Sequence, residues 1–270
     1  MDMLKELLTT LAGKKLSREN YPDSVFEEFL AFRLKLGSLE PVRHPSMPDP
    51  NTLMHIEYQK RVVMRNTKQF VEGLPANDVL LWGERGTGKS SLVKSMLKPF
   101  HAEGLRIIQV YKLDIMSLTD LYEVLRNRKQ KFILFFDDLS FEPEDESFRL
   151  LKSLLDGDIE ERPDNILVYA TSNRRGIVVD KDSQEKFPSE SLQERVSLAD
   201  RFGIRLGFFP FSKDKYMDIV FDCLRRMGID ADKKVVEKEA IRWATERGSF
   251  SGRTAVQFAK DFAGRFNLSS

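Results

Sequence analysis

The sequence predicts an α/β fold, a parallel sheet with helices on both faces, followed by a smaller all-helical domain. Three observations carry this. First, Gly83-Glu84-Arg85-Gly86-Thr87-Gly88-Lys89-Ser90 fits G-x-x-x-x-G-K-[ST], the phosphate-binding loop. Second, apolar runs alternate with helix-compatible segments from Val79 to Thr171, the pattern of a parallel sheet with right-handed crossovers. Third, strand signals stop after Phe211, and three helical runs follow. The chain divides accordingly into an N-terminal helical segment with a Pro-rich connector (1–50), an α/β nucleotide-binding domain (51–211) and a helical lid (212–270).

Composition limits the alternatives. With 270 residues, 41% apolar and 31% charged, the chain has the balance of a globular protein. Lys and Arg number 43 against 42 Asp and Glu, so net charge (+1) does not indicate nucleic acid as a partner. No apolar run approaches the roughly 18 residues of a membrane span, so no membrane partner is expected. Met1–Glu6 lack a secretory pattern, and the expected location is cytoplasmic. Cys223, the one cysteine, reads as a structural thiol in an apolar-periodic segment. His44, His55 and His101 fit no zinc spacing.

In chain order, Leu4, Leu7, Leu8 and Leu11 have helical spacing, stopped at Gly13. Val25, Phe26, Phe29, Leu30, Phe32 and Leu36 suggest a second amphipathic helix ended by Gly37. Prolines 41, 45, 48 and 50 then make an extended connector. A helix is expected over 56–71, and a turn at Leu74–Asn77 delivers the strand Val79–Trp82. After the loop, a helix runs from Ser91 to Leu97 and stops at Pro99. Strands follow at 107–111, 132–136 and 165–171, with helices at 118–125 and 147–155 between them. The last three helices are expected near 213–227, 233–247 and 253–266.

The chemistry concentrates where strands end. Glycines 83, 86 and 88 let backbone N–H groups turn toward phosphate oxygens, and Arg85, Thr87 and Ser91 share that loop and helix start. Lys89 can reach the β- and γ-phosphates, and the Ser90 hydroxyl can ligate Mg²⁺. About 50 residues on, Phe132–Phe136 ends in Asp137-Asp138 at the sheet edge where ligands sit. Asp137 suits the metal and Asp138 the attacking water, because a metal needs a fixed anion and water needs a base aimed at it. Glu142 could assist the metal, but it and Glu144-Asp145-Glu146 read better as a solvated acidic turn. At the end of the following strand, Asn173 can orient the water. Gly176–Leu192 is a charged insertion, long for an α/β connection.

The order of loop, Asp-Asp strand, Asn-ended strand and helical domain resembles the AAA+ ATPase superfamily, in which these are the Walker A, Walker B and sensor 1 elements. Leu198–Gly203 resembles the arginine-finger segment of the bacterial Holliday-junction branch-migration motor. That implies that Arg201 reaches a neighbouring subunit's ATP, with Arg195 and then Arg174-Arg175 as substitutes. Ser251-Gly252-Arg253 resembles sensor 2, which gives Arg253 the role of sensing the γ-phosphate from the lid. Met54-His55-Ile56 resembles the segment that covers adenine. Pro41–Pro45, Gly73–Asn77, Arg85–Lys94, Asp137–Glu142 and Ala170–Arg175 together are similar to the bacterial family of ATP-binding proteins called domain of unknown function 815. Asp138 departs from the commoner Glu, which bears on hydrolysis rate and not on nucleotide binding.

The resemblance implies a Mg²⁺-dependent ATPase, a homo-oligomer whose hydrolysis drives conformational change or remodels a protein partner. A non-hydrolysing ATP-dependent adaptor or loader has the same loop and strands. A small-molecule kinase would add an acceptor pocket and an arginine-rich lid, which the sequence does not show. A GTPase would add Asn-Lys-x-Asp, which does not occur.

Overall fold

A computed structural model of the chain describes residues 16–140, 146–156, 161–173 and 198–268. Seven strands form one sheet in the order β2-β1-β4-β5-β6-β3-β7: β1 is Ala31–Lys35, β2 Ser38–Pro41, β3 Val79–Gly83, β4 Leu105–Val110, β5 Lys131–Phe136, β6 Ile166–Ser172 and β7 Ile204–Phe208. All neighbours are parallel except the β1–β2 hairpin. The helices are α1 (Asp23–Glu28), α2 (Glu57–Val71), α3 (Lys89–Ser95), α4 (Leu97–Phe100), α5 (Leu118–Leu125), α6 (Glu146–Asp156), α7 (Lys213–Arg226), α8 (Lys233–Glu246) and α9 (Gly252–Leu268).

The period of two along each central strand builds two cores. Val79 and Leu81, Ile133 and Phe135, and Leu167 and Tyr169 face α2, α3 and α4. Leu80, Phe132, Leu134, Phe136, Ile166 and Val168 face the other way, toward Phe26 of α1, Leu121 of α5 and Leu151 of α6. Both faces are covered, so these strands carry no polar alternation. Each side chain of this size contributes about 1.5–3 kcal/mol when fully buried. Tyr169 brings a hydroxyl into this core, and it is satisfied by Thr67 at 2.8 Å and Asn66 at 3.0 Å. Burial pushes its pKa up to about 12, so it stays neutral.

Two sequence expectations are corrected. Residues 25–36 are not one helix: α1 stops at Glu28, and Ala31–Lys35 is a strand beside β4. Phe32 and Leu34 alternate with exposed Arg33 and Lys35, and this period wins because it places both apolar side chains in the core. Leu36 and Gly37 turn the chain with φ of 53° and 68°, the positive pair that a two-residue hairpin requires. The segment 1–50 is thus partly sheet, and its hairpin extends the same sheet that holds the phosphate loop. Pro99 does not stop a helix either. The break falls at Met96, and Pro99 sits in the first turn of α4, where its missing N–H has no intrahelical acceptor to lose. β7 was not anticipated. The helix expected over Leu4–Leu11 and the Gly176–Leu192 insertion lie outside the described residues.

The last three helices pack on one another through Tyr216, Phe258 and Phe262 and continue the α2–α4 core. Ser212 caps α7 through Lys215 N, and Asp232 caps α8 through Lys234 N. No described helix is long and apolar enough to cross a membrane.

Candidate active site

β3 lies between β6 and β7, so the chain leaving it enters a crevice flanked by the ends of both neighbours. Gly83 is held so close to β7 that a Cβ would lie 2.0 Å from the Phe208 carbonyl oxygen. Glu84 N donates to that same oxygen at 2.8 Å. The loop then turns through Gly86 (φ 74°) and Gly88 (φ 101°), and Gly88 starts α3. Thr87 Oγ1 closes the turn on Glu84 O at 2.7 Å. Lys89 is buried, and its ammonium donates to Gly83 O (2.8 Å), Glu84 O (2.7 Å) and Asn173 Oδ1 (3.1 Å). Burial lowers its pKa, opposed by the charges of Asp138, Glu84 and Asp137, while Arg253 adds to the lowering.

The neighbouring strand ends complete the cluster. Asp137 accepts from Ser90 Oγ at 2.5 Å and from Thr171 Oγ1 at 2.8 Å. Thr171 Oγ1 also accepts from Asp138 N at 2.9 Å, and Thr171 O accepts from Leu139 N at 2.7 Å. One residue therefore holds the Asp137 side chain and the chain on both sides of Asp138. Asp138 has φ of 57°, a left-handed conformation that Asp tolerates better than most side chains. Its carboxylate accepts from the Asn173 amide nitrogen, while the Asn173 oxygen faces Lys89.

These groups line a cavity of about 780 Å³, within the roughly 300–1,000 Å³ of small-molecule sites. One end is polar: Arg85 to Ser91, Asp137, Asp138 and Asn173. The other is largely apolar, with Met54, Ile56, Phe211 and Ile219. Gly83 and Glu84 shape the loop from behind and do not line the cavity. The lid closes one side. Arg253 N donates to Gly86 O at 3.2 Å, and a Cβ at Gly86 would meet Ser251 Oγ at 2.8 Å. The exposed Arg253 side chain lines the cavity.

Not every expected residue is there. Arg201 lies before β7, beyond its amino end, whereas the phosphate loop sits at the carboxyl end. Ile204 to Phe208 alone spans about 13 Å at the usual rise per residue. Asp200 pairs with Arg205 at 2.6 Å. His55 (φ 62°) does not line the cavity: its Nε2 lies 3.2 Å from Asp218 Oδ2 of α7, and the flanking Met54 and Ile56 form the wall. Cys223 lines the apolar end, where burial pushes its thiol pKa up. Arg174, Arg175, Arg195, Glu142, Glu144 and Asp145 lie outside the described residues. The sequence reading gave no role to Thr171 or to Asp222 and Arg226, a buried carboxylate and its ion-pair partner in the cavity wall. A threonine at a strand end opposite the acidic pair is a usable signal; nothing in sequence marks Asp222.

The strand order and the site define a protein with the fold of AAA+ ATPases. Among solved structures, the chain resembles the Thermotoga maritima RuvB Holliday junction branch migration motor (17% identity, TM-score 0.52, 77% of this chain and 61% of that one). It also resembles the Aeropyrum pernix ORC1 protein solved in complex with DNA (16% identity, TM-score 0.58, 82% and 65%). The FIGL-1 AAA domain in complex with ADP is similar as well (17% identity, TM-score 0.50, 82% and 74%). The chain thus spans less than two thirds of the first two relatives' lengths. No curated protein matches the sequence. The family is shown directly: the chain belongs to the one described as "Protein of unknown function (DUF815)", whose model matches residues 27–266.

Proposed function

We propose that the protein binds Mg·ATP in the 780 Å³ cavity and hydrolyses it, with residues 212–270 as a lid that transmits the change to a protein partner. The carrying observation is the junction of Lys89, Ser90, Asp137, Asp138 and Asn173 at one sheet edge, closed by hydrogen bonds from three strand ends. Loop N–H groups and the start of α3 suit the phosphates. Lys89 would exchange its carbonyl acceptors for phosphate oxygens, a stronger charge-assisted contact. Ser90 Oγ and Asp137 Oδ1 are the hard oxygen donors that Mg²⁺ prefers, and the hydrogen bond that holds them side by side at 2.5 Å supports this reading. A bound Mg²⁺ would neutralise charge on the β- and γ-phosphates. Asp138 takes the proton of the attacking water, and Asn173 holds that water in line once its amide leaves Asp138. Arg253 reaches the γ-phosphate from the lid.

Arg201 serves a neighbouring copy. Its place beyond the amino end of β7 keeps it from its own phosphate loop, which supports a role across an oligomer interface. Such a guanidinium contributes roughly 10³–10⁵ in rate. The test is activity against concentration. Specific activity should rise as subunits associate, Arg201→Ala should bind ATP and hydrolyse it poorly, and mixing with Lys89→Ala should restore turnover. Constant activity per subunit from dilute to concentrated protein would end this reading. A protein that binds ATP and never turns it over is the adaptor or loader alternative, favoured by one observation, the Asp138 carboxylate engaged by Asn173.

A further inference from the structure

A second cavity, of about 200 Å³, lies beside the sheet edge away from the loop. Its floor is one register row, Arg33 of β1, Gln109 of β4 and Phe135 of β5. That row continues through Tyr169 and Val79, which are buried in the core. At the β1 end it is polar instead. Lys94 of α3 lies over the Phe135 ring at 5.9 Å, and the connector after β2 adds His44 and Ser46. Among the described residues, the side chains of Arg33, His44, Ser46, Lys94 and Gln109 have no hydrogen-bond or ion-pair partner. No described carboxylate lines this cavity. Glu40 stands opposite Arg33 in the hairpin without forming an ion pair, and Glu28 and Arg43 line an adjoining pocket.

Several donors face one small space, and no described carboxylate faces them there. His44 offers a ring N–H in either protonation state, and Lys94 and Arg33 carry charge. The volume is below the roughly 300 Å³ at which small-molecule pockets begin, which rules against a second nucleotide and suits a compact oxyanion. We propose that this cleft binds a phosphate group, free or on a small ester, held by Lys94, Arg33 and His44. The occupant would sit behind the nucleotide site. Lys94 is on the helix that Lys89 opens, and Phe135 stands two residues before Asp137.

The test is calorimetric titration of inorganic phosphate into protein saturated with Mg·ADP, repeated with a Lys89→Ala protein so that the phosphate loop does not compete. Saturable binding is expected in both. Lys94→Gln should weaken it about tenfold, as for one charge-assisted hydrogen bond, and the Arg33→Gln/His44→Gln double variant by more. Mg·ADP affinity should be unchanged in these variants. Arg33 and His44 are exposed, so the double variant gives the same answer if Lys94→Gln does not fold. Glycerol 3-phosphate in place of phosphate tells an esterified ligand from a free one by which binds tighter. Equal titration of wild type and double variant, no saturable binding, or acetate binding as tightly as phosphate would overturn the proposal.

Discussion

The two ends of the large cavity are built differently. At the phosphate end, β3, β5 and β6 each contribute residues at their last positions or just beyond, and hydrogen bonds tie Lys89, Asn173 and Asp138 to one another and Ser90 and Thr171 to Asp137. At the base end, Met54 and Ile56, just before α2, line the cavity with Phe211 and Ile219 of the C-terminal part. Polar ties border it, His55–Asp218 at 3.2 Å and partly exposed, and Asp222–Arg226 in the wall. Strand ends fix atoms to within a hydrogen bond; packed apolar walls fix a shape. On the proposed function, the phosphate end would carry the chemistry and the charged part of binding, and the base end would add only shape.

The largest test of this division is Asp138→Asn. The Asn amide can occupy the same left-handed backbone, and Asp137, the proposed metal ligand, remains, so binding should hold while single-turnover hydrolysis falls by about 10²–10⁴. Wild-type turnover would place the base elsewhere and erase the distinction. Next is Lys89→Ala, which should weaken Mg·ATP by about 1.5–3 kcal/mol in calorimetry, the range for a hydrogen bond to a charged group. Equal affinity would mean that the phosphate end does not bind through its lysine.

A smaller effect sharpens the same point. Burial lowers the pKa of free Lys89, and a bound triphosphate favours its charged form, so the bound pKa is the higher of the two. Protonation then favours binding: affinity is full below the lowered free-state pKa and falls as pH rises through it. Proton uptake should appear in this window when calorimetry is run in buffers of different ionisation enthalpy. The smallest effect belongs to the base end. His55→Ala removes a partly exposed pair, worth about 0–1 kcal/mol, and should change ATP affinity by less than tenfold without altering the hydrolysis rate of bound ATP. A rate loss comparable to that of Asp138→Asn would show that the ends are not separable.

What the sequence revealed follows the same physics. β3, β5 and β6 are covered on both faces, so they read as unbroken apolar runs whose polar ends fall at the site. The final three helices were legible because each buries one stripe, as with Ala255, Phe258, Ala259 and Phe262 in α9. The outer strands were not. Ala31–Lys35 has five residues whose apolar positions also fit a helix, and only the turn at Leu36-Gly37 and pairing with β4 decide between them. β7 alternates over just Ile204–Phe208, too short to stand out. The lid contact at Gly86 joins residues 167 positions apart (86 and 253), which no local pattern can reveal. Lys94 and His44 likewise meet only because the hairpin extends the sheet beside α3.

That contact at Gly86 also sets a gearing. α9 begins at Gly252, against the phosphate loop, and runs for 17 residues, a rod of about 25 Å at the usual helical rise. Its pivot is a single backbone hydrogen bond and a glycine that leaves no room for a Cβ. If the loop shifts on losing a phosphate and α9 tilts by about 10°, its far end would swing by about 4 Å, roughly three quarters of a helical turn. Such a tilt would be read out as a stroke on the scale of a side chain at Leu268, which is 89% exposed.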